Sequence, residues 1–205
     1  MQELSLFQMF DLGGLFMWPL LVFSVVTIAL ILERGVYLLF HDLRVKDLQR
    51  ALDPYLEKKD HQGALTWLAT QPSRKSGVKI LSALFKVAPQ GEHRMEKAVE
   101  AEAGERIRKL ENGFNFLTAL ASLSPLTGFL GTVSGMIGAF RSIATATEVN
   151  AQLVANGIYE ALITTVFGLI IAVFAIAGYN LFAHKVDKFA AELEKTASDI
   201  IGTMV

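Results

Sequence analysis

NGIYEALITTVFGLIIAVFAIAGYN, residues 156–180, is apolar almost throughout and carries one charged side chain, Glu160. It lies within a longer run, Val149 to Ala183, of 35 residues in which Glu160 is again the sole charge. A helix needs roughly 20 predominantly apolar residues to cross a bilayer, so the run reads as a transmembrane helix. At 1.5 Å per residue it would extend about 50 Å, well beyond a hydrocarbon core of roughly 30 Å. It is therefore expected to project past the membrane as continuous helix, with strong tilt as the other solution. Two further runs qualify: Leu12 to Leu32, 21 residues without a charge, and Phe114 to Phe140, 27 residues without one. The second of these is also expected to continue as helix beyond the membrane.

The composition agrees with a membrane protein. Of 205 residues, 52% are hydrophobic and 19% charged, and the mean hydropathy is +0.41, too apolar for an ordinary soluble domain. The net charge is −1 and no Lys/Arg block is long enough to track a phosphate backbone, so no nucleic-acid partner is expected. The absence of cysteine excludes disulfides and thiolate chemistry, and the four histidines are scattered, so neither a metal nor another cofactor is expected. No Lys or Arg precedes Arg34, so the N-terminus lacks the basic region of a cleaved signal peptide, and the first span is expected to be retained.

Positive charge orients the spans. None of the 19 Lys/Arg lies in residues 1–33, one (Arg141) lies in 141–148, and 14 lie in 41–113. The positive-inside rule then places 41–113 and the C-terminus in the cytoplasm, and the N-terminus and the 141–148 turn outside. The expected fold is an all-α membrane protein with a helical cytoplasmic domain. Its parts are an outer N-terminus (1–11), a first transmembrane helix (12–40), the cytoplasmic domain (41–113), a second transmembrane helix (114–140), an outer turn (141–148), a third transmembrane helix (149–183) and a cytoplasmic C-terminal helix (184–205). Trp18 suits an interfacial anchor near the outer end of the first span. Within 41–113, Asp53-Pro54, Asp60, TQPSRKSG (70–77) and APQGE (88–92) are expected to break or cap short helices. The charged stretch 92–111, with its thin stripe of Met95, Val99, Ile107 and Leu110, is expected to run on into the second span.

Small residues mark the packing faces. On the second span Ala121, Ser124, Gly128, Gly131, Gly135 and Gly138 follow one another at spacings of three and four, which puts them on one side of a helix. Lipid removes the hydrophobic driving force between helices, so close backbone approach at such residues becomes a main source of association. On the third span Ala161, Thr165, Gly168, Ala172 and Ala175 make a comparable stripe, with Glu160, Thr164, Phe167 and Ile171 beside it. Glu160 thus borders a packed seam. A charge at the bilayer centre costs at least roughly 2.5 kcal/mol on insertion scales, so intramembrane carboxylates face a cavity, a partner or an ion path. Moving or sensing a cation, most simply a proton, is one role for Glu160. A shallow position at headgroup level and a permanently protonated structural group are two others. Thr127, Thr132, Thr164 and Thr165 offer hydroxyls that either line a cavity or bond back to their own helix.

PLTGFLGTVSGMIGAF, followed after a short turn by GIYEALITTVFGLIIAVFAIAGYN, resembles the paired-span signature of the ExbB/TolQ/MotA family, and ILERGVYLL resembles the Glu-Arg end of that family's first span. Three spans favour the ExbB/TolQ branch. The resemblance implies a homopentamer in the inner membrane of a Gram-negative cell, its N-terminus periplasmic, with the second and third spans around a pore that holds an ExbD/TolR-like single-span partner. Proton flow through it would drive work on a TonB/TolA-like protein. It also implies that the family's pore Glu falls on Glu160 and its two Thr on Thr132 and Thr165. Thr164, at i+4 from Glu160, shares its face, whereas Thr165 lies about 140° around the helix, so either hydroxyl fits the pore side.

Rival readings are weaker. An ion-coupled solute transporter would want a broken-helix substrate site or inverted repeats, and neither is present. A structural scaffold would leave Glu160 inert. An intramembrane serine hydrolase would need a base beside Ser134 in GTVSG, yet no histidine lies within a span, so no enzymatic activity is expected.

Overall fold

The computed structural model describes residues 6–72, 74–145 and 151–204. These form helices α1 (Leu6–Leu12), α2 (Met17–Phe40), α3 (Lys46–Glu57), α4 (His61–Thr70), α5 (Ser76–Val87), α6 (Glu92–Leu110), α7 (Phe114–Thr145) and α8 (Ala151–Met204). No β-strand occurs among the described residues, and the protein is an all-α membrane protein. Among the described residues three helices are long and apolar enough to cross a membrane, their most apolar 18-residue stretches having mean hydropathies of 1.9 in α2, 1.5 in α7 and 2.5 in α8. The chain divides into two compact units, one of residues up to Glu33 with Gly113–Asn180, the other of Arg34–Asn112 with Leu181–Val205.

In the first unit, α8 has two packed faces. One carries Ile163, Phe167 and Ile171 against Met17, Leu20 and Phe23 of α2, with Phe10 of α1 alongside. The other lies on α7 through small residues. The remaining surface of α7 is apolar and exposed, as at Leu126, Phe129, Val133, Ile137 and Phe140, which suits lipid or another membrane helix. Continuous helix in the first span begins at Met17, later than residue 12. Leu12 ends α1, and Gly13 and Gly14 intervene, with Gly14 at φ +66°, a left-handed conformation that favours glycine. Pro19 then falls in the first turn of α2, where its missing N–H is harmless. Trp18 is exposed and meets Phe10 edge-on at 5.2 Å.

The second unit is a water-type core. Leu48, Leu52 and Leu56 of α3, Leu68 of α4, and Leu81, Leu84 and Phe85 of α5 pack with Met95 of α6 and with Ala197, Ile200 and Ile201 near the end of α8. Asp60 caps α4 as its sequence suggests, its Oδ1 accepting from the Gly63 amide at 2.8 Å. Three local expectations are corrected. Pro54 does not break the chain; it lies inside α3, because the stripe Leu48, Leu52, Leu56 needs one continuous helix to reach the core. The charged helix α6 does not run into the second span. It ends at Leu110, and Gly113 at φ +86° turns the backbone before Phe114 opens α7. The C-terminal helix is not separate: α8 is one helix of 54 residues, about 80 Å at the standard rise, without a break at 183. Residues 146–148 of the expected outer turn and 149–150 of the expected third span lie outside the described residues, and the first part of the turn, residues 141–145, continues α7.

Candidate functional site

The α7–α8 seam is built by backbone approach. A Cβ on Gly128 would lie 2.8 Å from the Thr164 carbonyl oxygen and 3.0 Å from Thr165 Cα. One on Gly168 would lie 2.5 Å from the Ser124 carbonyl oxygen, and one on Gly135 would lie 3.0 Å from the Gly157 carbonyl oxygen. At Gly131 the obstruction is the Thr164 side chain itself, with Oγ1 at 2.3 Å. Gly128, Gly135 and Gly168 need glycine because a backbone stands where a methyl group would go. Gly138 does not belong to this contact. It is exposed with nothing within 4 Å of its would-be Cβ, and Ala139 takes the place instead, buried against Gly157. The seam advances by four from Gly131 to Gly135 to Ala139, whereas a strict alternation of three and four lags behind the 3.6-residue turn.

Hydroxyls stitch the same seam. Thr164 Oγ1 donates to Gly128 O across the interface at 3.2 Å and to Ala161 O of its own helix at 2.9 Å. Thr165 Oγ1 donates to Gly128 O as well, at 3.2 Å. The two differ in reach: Thr164 is fully buried, Thr165 only partly. Ser124 donates back to Leu120 O at 2.6 Å, Thr127 to Leu123 O at 2.9 Å, and Thr132 to Phe129 O at 2.7 Å. Thr132 therefore bonds within α7 and does not enter the Gly128–Thr164–Thr165 cluster.

Glu160, next in sequence to the seam residue Ala161, lies against the α1–α2 turn. It is half-buried on α8, and a Cβ on Gly14 would lie 2.1 Å from its Oε1, so the carboxylate occupies the space that Gly14 leaves open. The glycine turn between α1 and α2 thus lies over it, with Ile163 and Met17 next to Gly13. This puts the carboxylate level with the N-terminal end of α2, away from the middle of that helix. Among the described residues no hydrogen bond or ion pair engages it. Among the described residues no cluster of His, Asp and Glu could hold a metal.

Two participants escaped sequence reasoning. Gly157 continues the α8 stripe four residues before Ala161, a spacing that marks it. Gly14 carries no such signal, because its contact is with a residue far along the chain. In the second unit, Arg34 of the Glu-Arg motif is buried, its guanidinium 4.9 Å from the centre of the Tyr37 ring and its Nη1 donating to Lys109 O at 3.4 Å.

Comparison with known proteins bears on both spans. The sequence profile of the MotA/TolQ/ExbB proton channel family matches residues 31–195, which include Arg34, the whole α7–α8 seam and Glu160. The chain is 33% identical to Biopolymer transport protein exbB1 of Vibrio cholerae over 202 residues, covering 94% of this chain and 85% of that protein. A putative ExbB-like biopolymer transport protein of Synechocystis is 29% identical, over 87% of this chain and 72% of its own length. Tol-Pal system protein TolQ of Haemophilus influenzae is 37% identical over 115 residues, 54% of this chain and 50% of that protein. With a family profile covering most of its length and three membrane-crossing helices, this chain is a multi-pass inner-membrane protein that belongs to the MotA/TolQ/ExbB proton channel family.

Proposed function

We propose that this protein is the channel-forming subunit of an energiser in which an ExbD/TolR-like single-span partner completes the proton path. The energy is passed to a TonB/TolA-like protein for outer-membrane transport or envelope maintenance. The observation that carries this reading is Glu160, the sole charged residue in the 35-residue run 149–183, which the family profile covers. One elementary charge crossing 100 mV releases roughly 2.3 kcal/mol, so a few protons per cycle suffice to move packed helices against one another.

The assignments within the site follow from chemistry. Thr164 is buried and holds the two helices together. Thr165 is reachable from one side and is the hydroxyl better suited to hold water or an ion. Thr132 offers its oxygen to the pore while its proton is committed to Phe129 O. Gly138, with open space over it, is the position where a second subunit approaches in a homopentamer. Glu160 lies level with one end of α2, which supports a role at the mouth of the path, where it concentrates protons for a partner's carboxylate.

The test replaces Glu160 by Ala and by Gln and measures partner-dependent, energised transport in cells. Preserved assembly with transport lost in both variants is expected; undiminished transport in both would remove Glu160 from the mechanism. Because the natural chain has no cysteine, single introduced cysteines read the orientation directly. A cysteine at residue 8 is expected to react with a membrane-impermeant reagent from the periplasm, and one at residue 58 only after the membrane is opened.

A further inference from the structure

At the end of α2 three separate parts of the second unit converge on one cleft. The loop after Phe40 is tied to the loop before α5 by a short parallel bridge, in which the Asp42 amide donates to Arg74 O at 3.0 Å and the Ser76 amide donates to Asp42 O at 3.0 Å. The bridge holds Arg74 beside the start of the 42–45 loop, and the Arg44 amide donates to Asp42 Oδ1 at 3.0 Å, which fixes the next turn of chain. Lys185 and Lys188 line the third side, one helical turn apart on α8. The resulting cleft is about 690 Å³, far larger than a lone phosphate group needs.

Its charge is unbalanced. Arg44, Arg74, Lys185 and Lys188 are all exposed, and none of them is in an ion pair among the described residues. The two carboxylates of the lining have other partners: Asp42 takes the Arg44 amide, and Glu192 faces Lys46 at 3.8 Å. Leu39 and Phe40 line the same cleft and are 78% and 70% exposed. They are the last residues of the first apolar helix, and Lys185 lies two residues after Ala183, the end of the long apolar run. The cleft is thus at the level where two spans leave the hydrocarbon, with cations on one side and bare apolar side chains on the other.

We propose that this cleft is a binding site for an anionic phospholipid. Its headgroup phosphate is held by Arg44, Arg74, Lys185 and Lys188, and its acyl chains cover Leu39 and Phe40. Basic pockets at the ends of transmembrane helices recognise anionic headgroups through charge and forked guanidinium donors, while the apolar neighbours exclude a free phosphate as the preferred occupant. General attraction of scattered lysines to the membrane would involve the basic residues of this unit alike; a built site singles out these four.

Native mass spectrometry of the full-length protein in micelles containing equal phosphatidylglycerol and phosphatidylcholine tests this. Phosphatidylglycerol adducts are expected to dominate. The double variant Arg74→Gln/Lys188→Gln is expected to hold them about thirtyfold more weakly, at about fivefold per cation. Lys58→Gln/Lys195→Gln, which removes two exposed cations outside the cleft, is expected to leave them unchanged, as is millimolar inorganic phosphate. Should the double variant misfold, Lys185→Gln alone, on an exposed helix face, is expected to weaken the adduct about fivefold. Equal uptake of phosphatidylcholine, equal loss in the control pair, undiminished binding in Lys185→Gln, or displacement by inorganic phosphate would overturn the proposal.

Discussion

The two units hold their helices together by opposite means. In the second unit large side chains fill the space between helices: Leu48, Leu52, Leu68, Leu81, Leu84 and Phe85 are essentially inaccessible to water. In the first unit the α7–α8 interface is made of small residues, Gly128, Gly131, Gly135, Ala139, Gly157, Ala161 and Gly168, with the hydroxyls of Thr164 and Thr165. Water drives the first arrangement, since each buried leucine is worth about 1.5–3 kcal/mol of transfer. Lipid offers no such gain, and what remains is contact between backbones and hydrogen bonds across them. The same sequence therefore follows two packing codes, and the length of uninterrupted apolar helix tells which one applies.

If this contrast is right, opposite changes in size should damage the two units. Phe85→Ala, which empties the soluble-type core, is expected to cost about 3–5 kcal/mol, seen as a fall in the melting temperature of the purified protein. Enlarging a seam residue comes next. Gly168→Val puts atoms against the Ser124 carbonyl, and about 1–3 kcal/mol or more is expected, read as loss of the assembled species by native mass spectrometry. Removing a hydroxyl should matter less. Thr164→Val and Thr165→Val are each expected to cost about 0.5–1 kcal/mol, and the double variant more than their sum, because both hydroxyls serve the Gly128 carbonyl and either one compensates for the other. Gly138→Ala is expected to leave the isolated subunit unharmed or slightly more stable, since alanine is the better helix former. A loss confined to oligomer assembly would show that a neighbouring subunit fills that space.

The smallest effect concerns charge on α6. Lys97 hydrogen-bonds Glu100 at 2.6 Å, which holds the Glu100 carboxyl below its usual value and the Lys97 ammonium above its own. Lys109 acts on Glu105 in the same way. A lowered carboxyl contributes stability above its ordinary value near 4.5 and loses it as pH falls through the folded-state value. Both pairs are exposed and screened, so Glu100→Gln is expected to leave the melting temperature at pH 7 unchanged within error.

Most of the architecture was legible because it rests on long local patterns. Three uninterrupted apolar runs give three spans, and glycines at intervals of three and four mark the face where α7 meets α8. The exceptions are places where a local sign was outweighed. Pro54 reads as a breaker, yet the leucine stripe of α3 carries the helix through it. The charged run 92–111 reads as continuous with the second span, yet Gly113 supplies the positive φ that separates α6 from α7. Gly138 keeps the spacing of the seam but not its contact, because the spacing repeats every seven residues and the helix does not. Glu160 stood out in the sequence; its surroundings did not, since they depend on Gly14 and on which side of α8 faces α1 and α2.

That glycine has a consequence for how the site is set. The position of the lone membrane carboxylate is governed by an omission: at residue 14 a single missing methyl group forms the niche in which the charge rests. A side chain there would evict the carboxylate without altering any titratable group. The α1–α2 turn thus holds, at its smallest residue, the space into which the third span extends its charge.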